Sequence, residues 1–142
     1  MASTGETCNS FMLECLQGVH QPGDTYMVAL YTPSASLSRA TTVYSSTDEC
    51  PNSGTYTAGG QALVGYTAVL AGNVAYLDWT SDPQWTGATL TAQAMLIYNA
   101  TRGNKAVAVI TFTGGTITST NGTFDVTLPA PGATAAVRLR NP

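Results

Sequence analysis

The stretch ATLTAQAMLIYNATRGNKAVAVITF, residues 88–112, decides the fold class. It holds two apolar runs, AMLIYN and AVAVITF, with no charged residue inside either. Both are of strand length, and the second is rich in β-branched side chains. The ATRG between them is a link of hairpin length. Side chains alternate across a strand, so a run that is apolar at every position has both faces covered. The reading is two central strands, over 88–99 and 104–112.

The flanking sequence repeats the pattern. DTYMVALY (24–31) sets Tyr26, Val28 and Leu30 against Met27, Ala29 and Tyr31, and Pro33 stops it. RATTVYS (39–45) is β-branched. TYTAGGQALVGYTAVLA (55–71) reads as strand, turn, strand, and NVAYLDW (73–79) follows, before a loop at Pro83 and Gly87. GTITST (115–120) and GTFDVTLP (122–129) are joined across Asn121-Gly122, the strongest hairpin signal in the chain. Phe124, Val126 and Leu128 share one face of the second, and AAVRLR (135–140) closes the pattern.

Near the N-terminus the apolar period changes. Cys8, Phe11, Met12, Cys15, Leu16 and Val19 form one helical stripe, which predicts a helix over 8–18. Thr7 or Asn9 would cap its start, and Gly18 with Pro22 beyond would end it. Leu13 falls off the stripe, where it can touch a partner. The expectation is a single domain over 1–142 with a flexible arm at 1–7, the helix, and a β-domain over 24–142. The fold class is mainly β: an antiparallel β-sandwich or Greek-key barrel with one short N-terminal α-helix. No βαβ alternation is present.

Composition points toward assembly. Only 9% of residues are charged, against about 25% in ordinary domains. Threonine occurs 23 times and supplies polarity without charge. Monomers usually rely on charge for solubility, so such a surface suits a subunit that meets protein. A net charge of −3 with five scattered basic residues argues against direct contact with nucleic acid. No apolar run reaches membrane-spanning length, and MASTGETCNS lacks the regions of a secretory signal. Three cysteines, at 8, 15 and 50, predict reduced thiols, with one bridge from the N-terminal segment to Cys50 left open.

Chemistry-bearing patterns are sparse. GTYTAGGQALVG (54–65) holds four of the 14 glycines, but no Lys-Ser/Thr follows them and β-like sequence continues, so Gly59 and Gly60 read as a structural turn. His20 is the sole histidine and reads as a helix-end residue without a partner motif. The acidic pairs at 48–49 and in DWTSD (78–82) read as turn formers. No CxxC or calcium loop is present. The expectation is therefore no catalytic residue, no metal and no cofactor. Trp79 and Trp85 read as core or interface anchors.

CNSFMLECLQGVH, then DTYMVALYT, then GTYTAGGQALVG, then AMLIYNATRGNKAVAVITF, then a terminal β-hairpin resemble, in that order, a family of small tailed-bacteriophage virion proteins. That family pairs a C-N-S-F helix with a D-T-(F/Y)-x-(V/I)-A-L-Y strand, a G-Y-T-A-G-G segment and a Y-N-x-x-x-x-N-K-A strand pair. The resemblance covers residues 8–140, with Thr55-Tyr56 standing where the pattern has Gly-Tyr. It implies a β-rich, non-enzymatic structural protein of the phage particle, assembled in the bacterial cytoplasm. A capsid decoration (cement) protein or head spike is expected, bound to the major capsid protein or other phage structural proteins, and trimeric. Ser3, Thr4, Phe11 and Leu13 are the expected contacts with the shell. The alternative is a neck, tail or spike protein that touches host glycans through Trp79, Trp85 and Asp82.

Overall fold

Residues 3–132 and 134–140 are described by a computed structural model. In chain order the elements are β1 (Ser3–Thr7), α1 (Asn9–Leu16), β2 (Tyr26–Tyr31), β3 (Gln61–Ala62), β4 (Thr67–Ala71), β5 (Val74–Asp78), β6 (Gln84–Ala92), β7 (Ala94–Asn99), a 3-10 turn (Ala100–Arg102), β8 (Lys105–Phe112), β9 (Ile117–Asp125) and β10 (Val137–Arg140). The chain is mainly β, antiparallel throughout and sandwich-like, as the sequence indicates. One sheet runs β1-β8-β7-β2-β3, a second β10-β5-β4, and β6 pairs with β9 alone. The two apolar runs are β7 and β8, neighbours at the centre of the five-stranded sheet. Met95 to Asn99 and Ala106 to Ile110 are all buried.

Two aromatic clusters tie these layers together. Trp85 of β6 and Phe124 of β9 lie opposite each other across the pair, and Phe124 packs on Phe112 of β8 with centroids 6.1 Å apart. Tyr56 meets the Trp85 edge at 5.3 Å. The second cluster runs from Phe11 through His20 to Tyr26, Tyr66 and Trp79, joining α1 to both larger sheets.

Several expected boundaries differ. The segment expected as a free arm forms β1 from Ser3 onward, in register with β8 from Ser3↔Phe112 to Thr7↔Ala108. Without it β8, an apolar strand, would present an open edge. Met1 and Ala2 lie outside the described residues. The helix is capped by neither Thr7 nor Asn9: Cys8 holds the N-cap with no side-chain hydrogen bond. Residues 39–45 make only a single bridge, Val43↔Lys105. The stretch 88–99 is broken at Gln93, where the chain passes from β6 in one layer to β7 in another. The Gln93 backbone spans that step, donating to Tyr31 O and accepting from Phe112 N.

The Asn121-Gly122 hairpin is absent, because both residues lie inside β9. The β6–β9 register shifts once between Trp85 and Ala88 and back between Ala88 and Leu90. Gly87, in the expected loop, has φ +59 and carries the extra residue on β6; Asn121, with φ +44, lies in the bulge on β9. The two bulges compensate, so Leu90↔Ser119 returns to the frame of Trp85↔Phe124. Continuous pairing keeps Phe124 on Trp85, a contact that a hairpin at 121–122 would remove.

Candidate functional site

Cross-strand partners share a face of a sheet. In the three-stranded sheet, Leu70, Ala75 and Leu139 lie opposite one another, as do Ala68, Leu77 and Val137. One face of this sheet is therefore apolar at all these positions. Helix α1 covers its inner part through Phe11 and Cys15. The outer part is open: Leu70 is 74% exposed, and Ala75 and Leu139 are exposed too. Helix and sheet thus form the walls of an apolar groove of about 350 Å³, which Tyr66 and His20 also line.

The helix stripe is wider than the sheet beneath it. Of its members, Cys8 and Phe11 are buried, whereas Met12 is exposed and Leu16 is 87% exposed. Leu13 is 58% exposed, as its off-stripe position suggests. Met12, Leu13 and Leu16 thus give α1 an exposed apolar side of its own, at spacings that make them neighbours on the helix.

A polar chain fixes the helix wall. Asn99 is fully buried at the end of β7. Its Oδ1 accepts from Thr101 N at 3.1 Å, which orients the amide so that Nδ2 donates to Asp24 at 2.8 Å and to His20 Nδ1 at 3.0 Å. His20 Nδ1 is therefore the acceptor, and Nε2 donates to Glu14 of α1 at 3.0 Å. Lys105 lies 3.7 Å from Glu14, and Arg102 makes two hydrogen bonds to Asp24, at 2.8 and 3.0 Å. His20 is thus an enclosed link, its side chain 2% exposed, and not a surface residue. Its hydrogen-bond partners come from two separate segments, α1 and the end of β7, which no local motif records.

The Arg102 guanidinium, with Asn99 and the Gln21 amide, holds the Asp24 carboxyl down at about 2, below its ordinary 3.8. A lowered folded-state value means that the stabilisation is complete above the unfolded value and lost as pH falls through the folded one. Wild-type protein should therefore lose thermal stability relative to Asp24→Asn between about pH 4 and 2, and the two melting curves should keep a constant separation from pH 5 to 7. A separation that does not change on acidification would remove this role for Asp24.

The expected contact residues are dispersed. Thr4 is exposed on β1, opposite Thr111, and Ser3 heads the same strand, its side chain outside the described part. Phe11 is buried and lines the groove instead of standing on the outer surface. Trp79 is 5% exposed and Trp85 2%, so neither offers a face to a sugar; both are core anchors. Asp82 accepts from Leu128 N at 3.0 Å and ties down a loop. Cys8, Cys15 and Cys50 are free thiols, which rules out the bridge left open from the sequence. Burial pushes the Cys8 thiol up to about 12 and Cys50 up to about 11, so both act as small apolar groups. The exposed Leu16, Leu70 and Leu139 were not singled out from the sequence; the signal for Leu70 was TAVLA, an uncharged strand without polar alternation.

No family model, curated protein or solved structure matches this chain.

Proposed function

We propose that this chain is a structural subunit of a bacteriophage virion, of the capsid decoration type, which binds the outside of the head and stabilises it. The open apolar groove carries this reading. It offers a socket for side chains of the major capsid protein, beside a surface with few charges to desolvate on docking. The virion resemblance of residues 8–140 points the same way. A subunit that binds only the assembled, expanded lattice adds its binding free energy to that state and opposes rupture by packaged DNA. In this reading the groove and the exposed side of α1, including Leu13, join Ser3 and Thr4 as the surface that meets the shell.

Purified protein mixed with empty heads from the same phage should co-sediment with them. Leu16→Asp, a change at an exposed helix position, should weaken attachment about tenfold or more while leaving the fold intact. Mass spectrometry of whole particles should count copies in proportion to the major capsid protein. A handful of copies per particle would overturn the head assignment in favour of a neck or tail site.

A further inference from the structure

The edges at β1, β3, β6 and β10 are short or covered, and that of β4 is neither. β1 and β10 close on each other: Thr7 Oγ1 accepts from Arg138 N and contacts the Ala136 and Arg138 carbonyls, and Arg138 donates to Gly5 O. β3 is two residues long, and the loop at 53–55 bonds along β6. Short, covered or charged edges resist pairing with another chain. β4, at the outer edge of its sheet, has neither charge nor proline, and all five of its residues are exposed.

Its backbone polarity follows from the hairpin. The two-residue Gly72–Asn73 loop makes Ala71↔Val74 a hydrogen-bonded pair, so Val69 and Thr67 also turn inward to β5. Ala68 and Leu70 then turn their N–H and C=O groups outward. The same alternation, carried across β5, places the Arg138 amide on the far side of β10, where it meets Thr7. Among the described residues, no backbone group meets the outward amides of Ala68 and Leu70.

We infer that β4 pairs antiparallel with β4 of a second copy of this chain, about a twofold axis at Val69. Ala68 then faces Leu70 of the partner and Leu70 faces Ala68 of the partner, both as hydrogen-bonded pairs, giving roughly four new backbone hydrogen bonds. Self-complementarity is what selects a second copy as occupant: the outward groups fall symmetrically about Val69, and an uncharged strand brings no like charges together. The two three-stranded sheets become one continuous sheet, and Leu70 loses its exposure on a shared groove floor. The symmetry is twofold, where the virion resemblance leads to an expected trimer. The inference does not rest on the virion reading, and purified protein alone tests it.

Wild-type protein should sediment as a dimer at about 100 μM, with the Ala68 and Leu70 amides exchanging more slowly as concentration rises. Ala68→Pro removes an outward N–H but no bond to β5, and should give a folded monomer. As a second arm, Val69→Cys in a Cys15→Ser background should form a disulfide-linked dimer on mild oxidation, since a non-hydrogen-bonded pair sits at about 4.5 Å between Cα atoms. A monomeric wild type would overturn the inference and leave β4 to a different partner. So would an Ala68→Pro protein that stays dimeric, or a Val69→Cys protein that gives no covalent dimer.

Discussion

Gly60→Val should lose about 4 kcal/mol or more of stability and accumulate largely as unfolded protein. Gly60 has φ +83, a region that β-branched residues avoid. A Cβ there would fall on the Val28 carbonyl of β2, which is main chain and cannot swing aside. The turn at 57–60, closed by Gly60 N donating to Thr57 O at 2.9 Å, delivers the chain into β3 at the side of β2. Any retreat from the clash therefore pulls on a strand at the heart of the core. Gly59→Ala is the control. Gly59 also has positive φ, +96, but its Cβ would meet only the Tyr98 hydroxyl at an acceptable 3.4 Å. That variant should lose only about 1–2 kcal/mol, the cost of the backbone conformation. Urea unfolding of the two proteins separates clash from conformation; equal losses would show that the close approach to β2 is unimportant.

Gly59-Gly60 was legible as a turn because a local argument suffices, paired glycines with no following lysine, although the strand expected before it from residue 55 is only an isolated bridge, Ser53↔Tyr56. The central strands were legible for a similar reason, since β7 and β8 are apolar at consecutive positions whatever packs on them. Apart from the helix cap, the main failures are non-local. Asn121-Gly122 carries the best hairpin signal, yet the pairing of β9 with β6 keeps it within a strand. The helix stripe predicted the helix but not which of its apolar positions would be covered, and Met12 and Leu16 are left exposed. His20 looked unpartnered because Asn99 is 79 residues away in sequence. The groove combines two such effects: an apolar sheet face and an apolar helix stripe, each unremarkable alone, left partly uncovered by their relative placement.

Glu49 is the clearest case of a residue whose role the sequence concealed, and Glu49→Ala should cost about 3 kcal/mol. In sequence it follows Asp48 and looks like a solvated turn former. In the fold its Oε1 accepts from Tyr44 Oη at 2.5 Å, and its Oε2 accepts from Tyr56 Oη and from Gly59 N, both at 2.7 Å. Tyr56 is fully buried, and its hydroxyl also receives Leu30 N of β2 at 3.0 Å. One carboxylate thus connects the turn before β3, the central sheet and the loop that carries Tyr44. Alanine would leave three donors without their acceptor, each costing about 1–3 kcal/mol if buried. The sum is reduced because Tyr44 is half-buried and can turn to water, and because Tyr56 keeps the Leu30 carbonyl at 3.4 Å. Glu49→Gln retains an acceptor but turns an amide N–H₂ toward a donor, so it should fall between wild type and alanine. Burial, with the Glu49 hydrogen bond and charge behind it, raises Tyr44 above the ordinary tyrosine range. Removing the carboxylate should therefore bring tyrosinate absorbance in at lower pH, in native protein, as well as lowering the urea midpoint. An unchanged urea midpoint in Glu49→Ala would mean that the tyrosines and the turn hold their places without it.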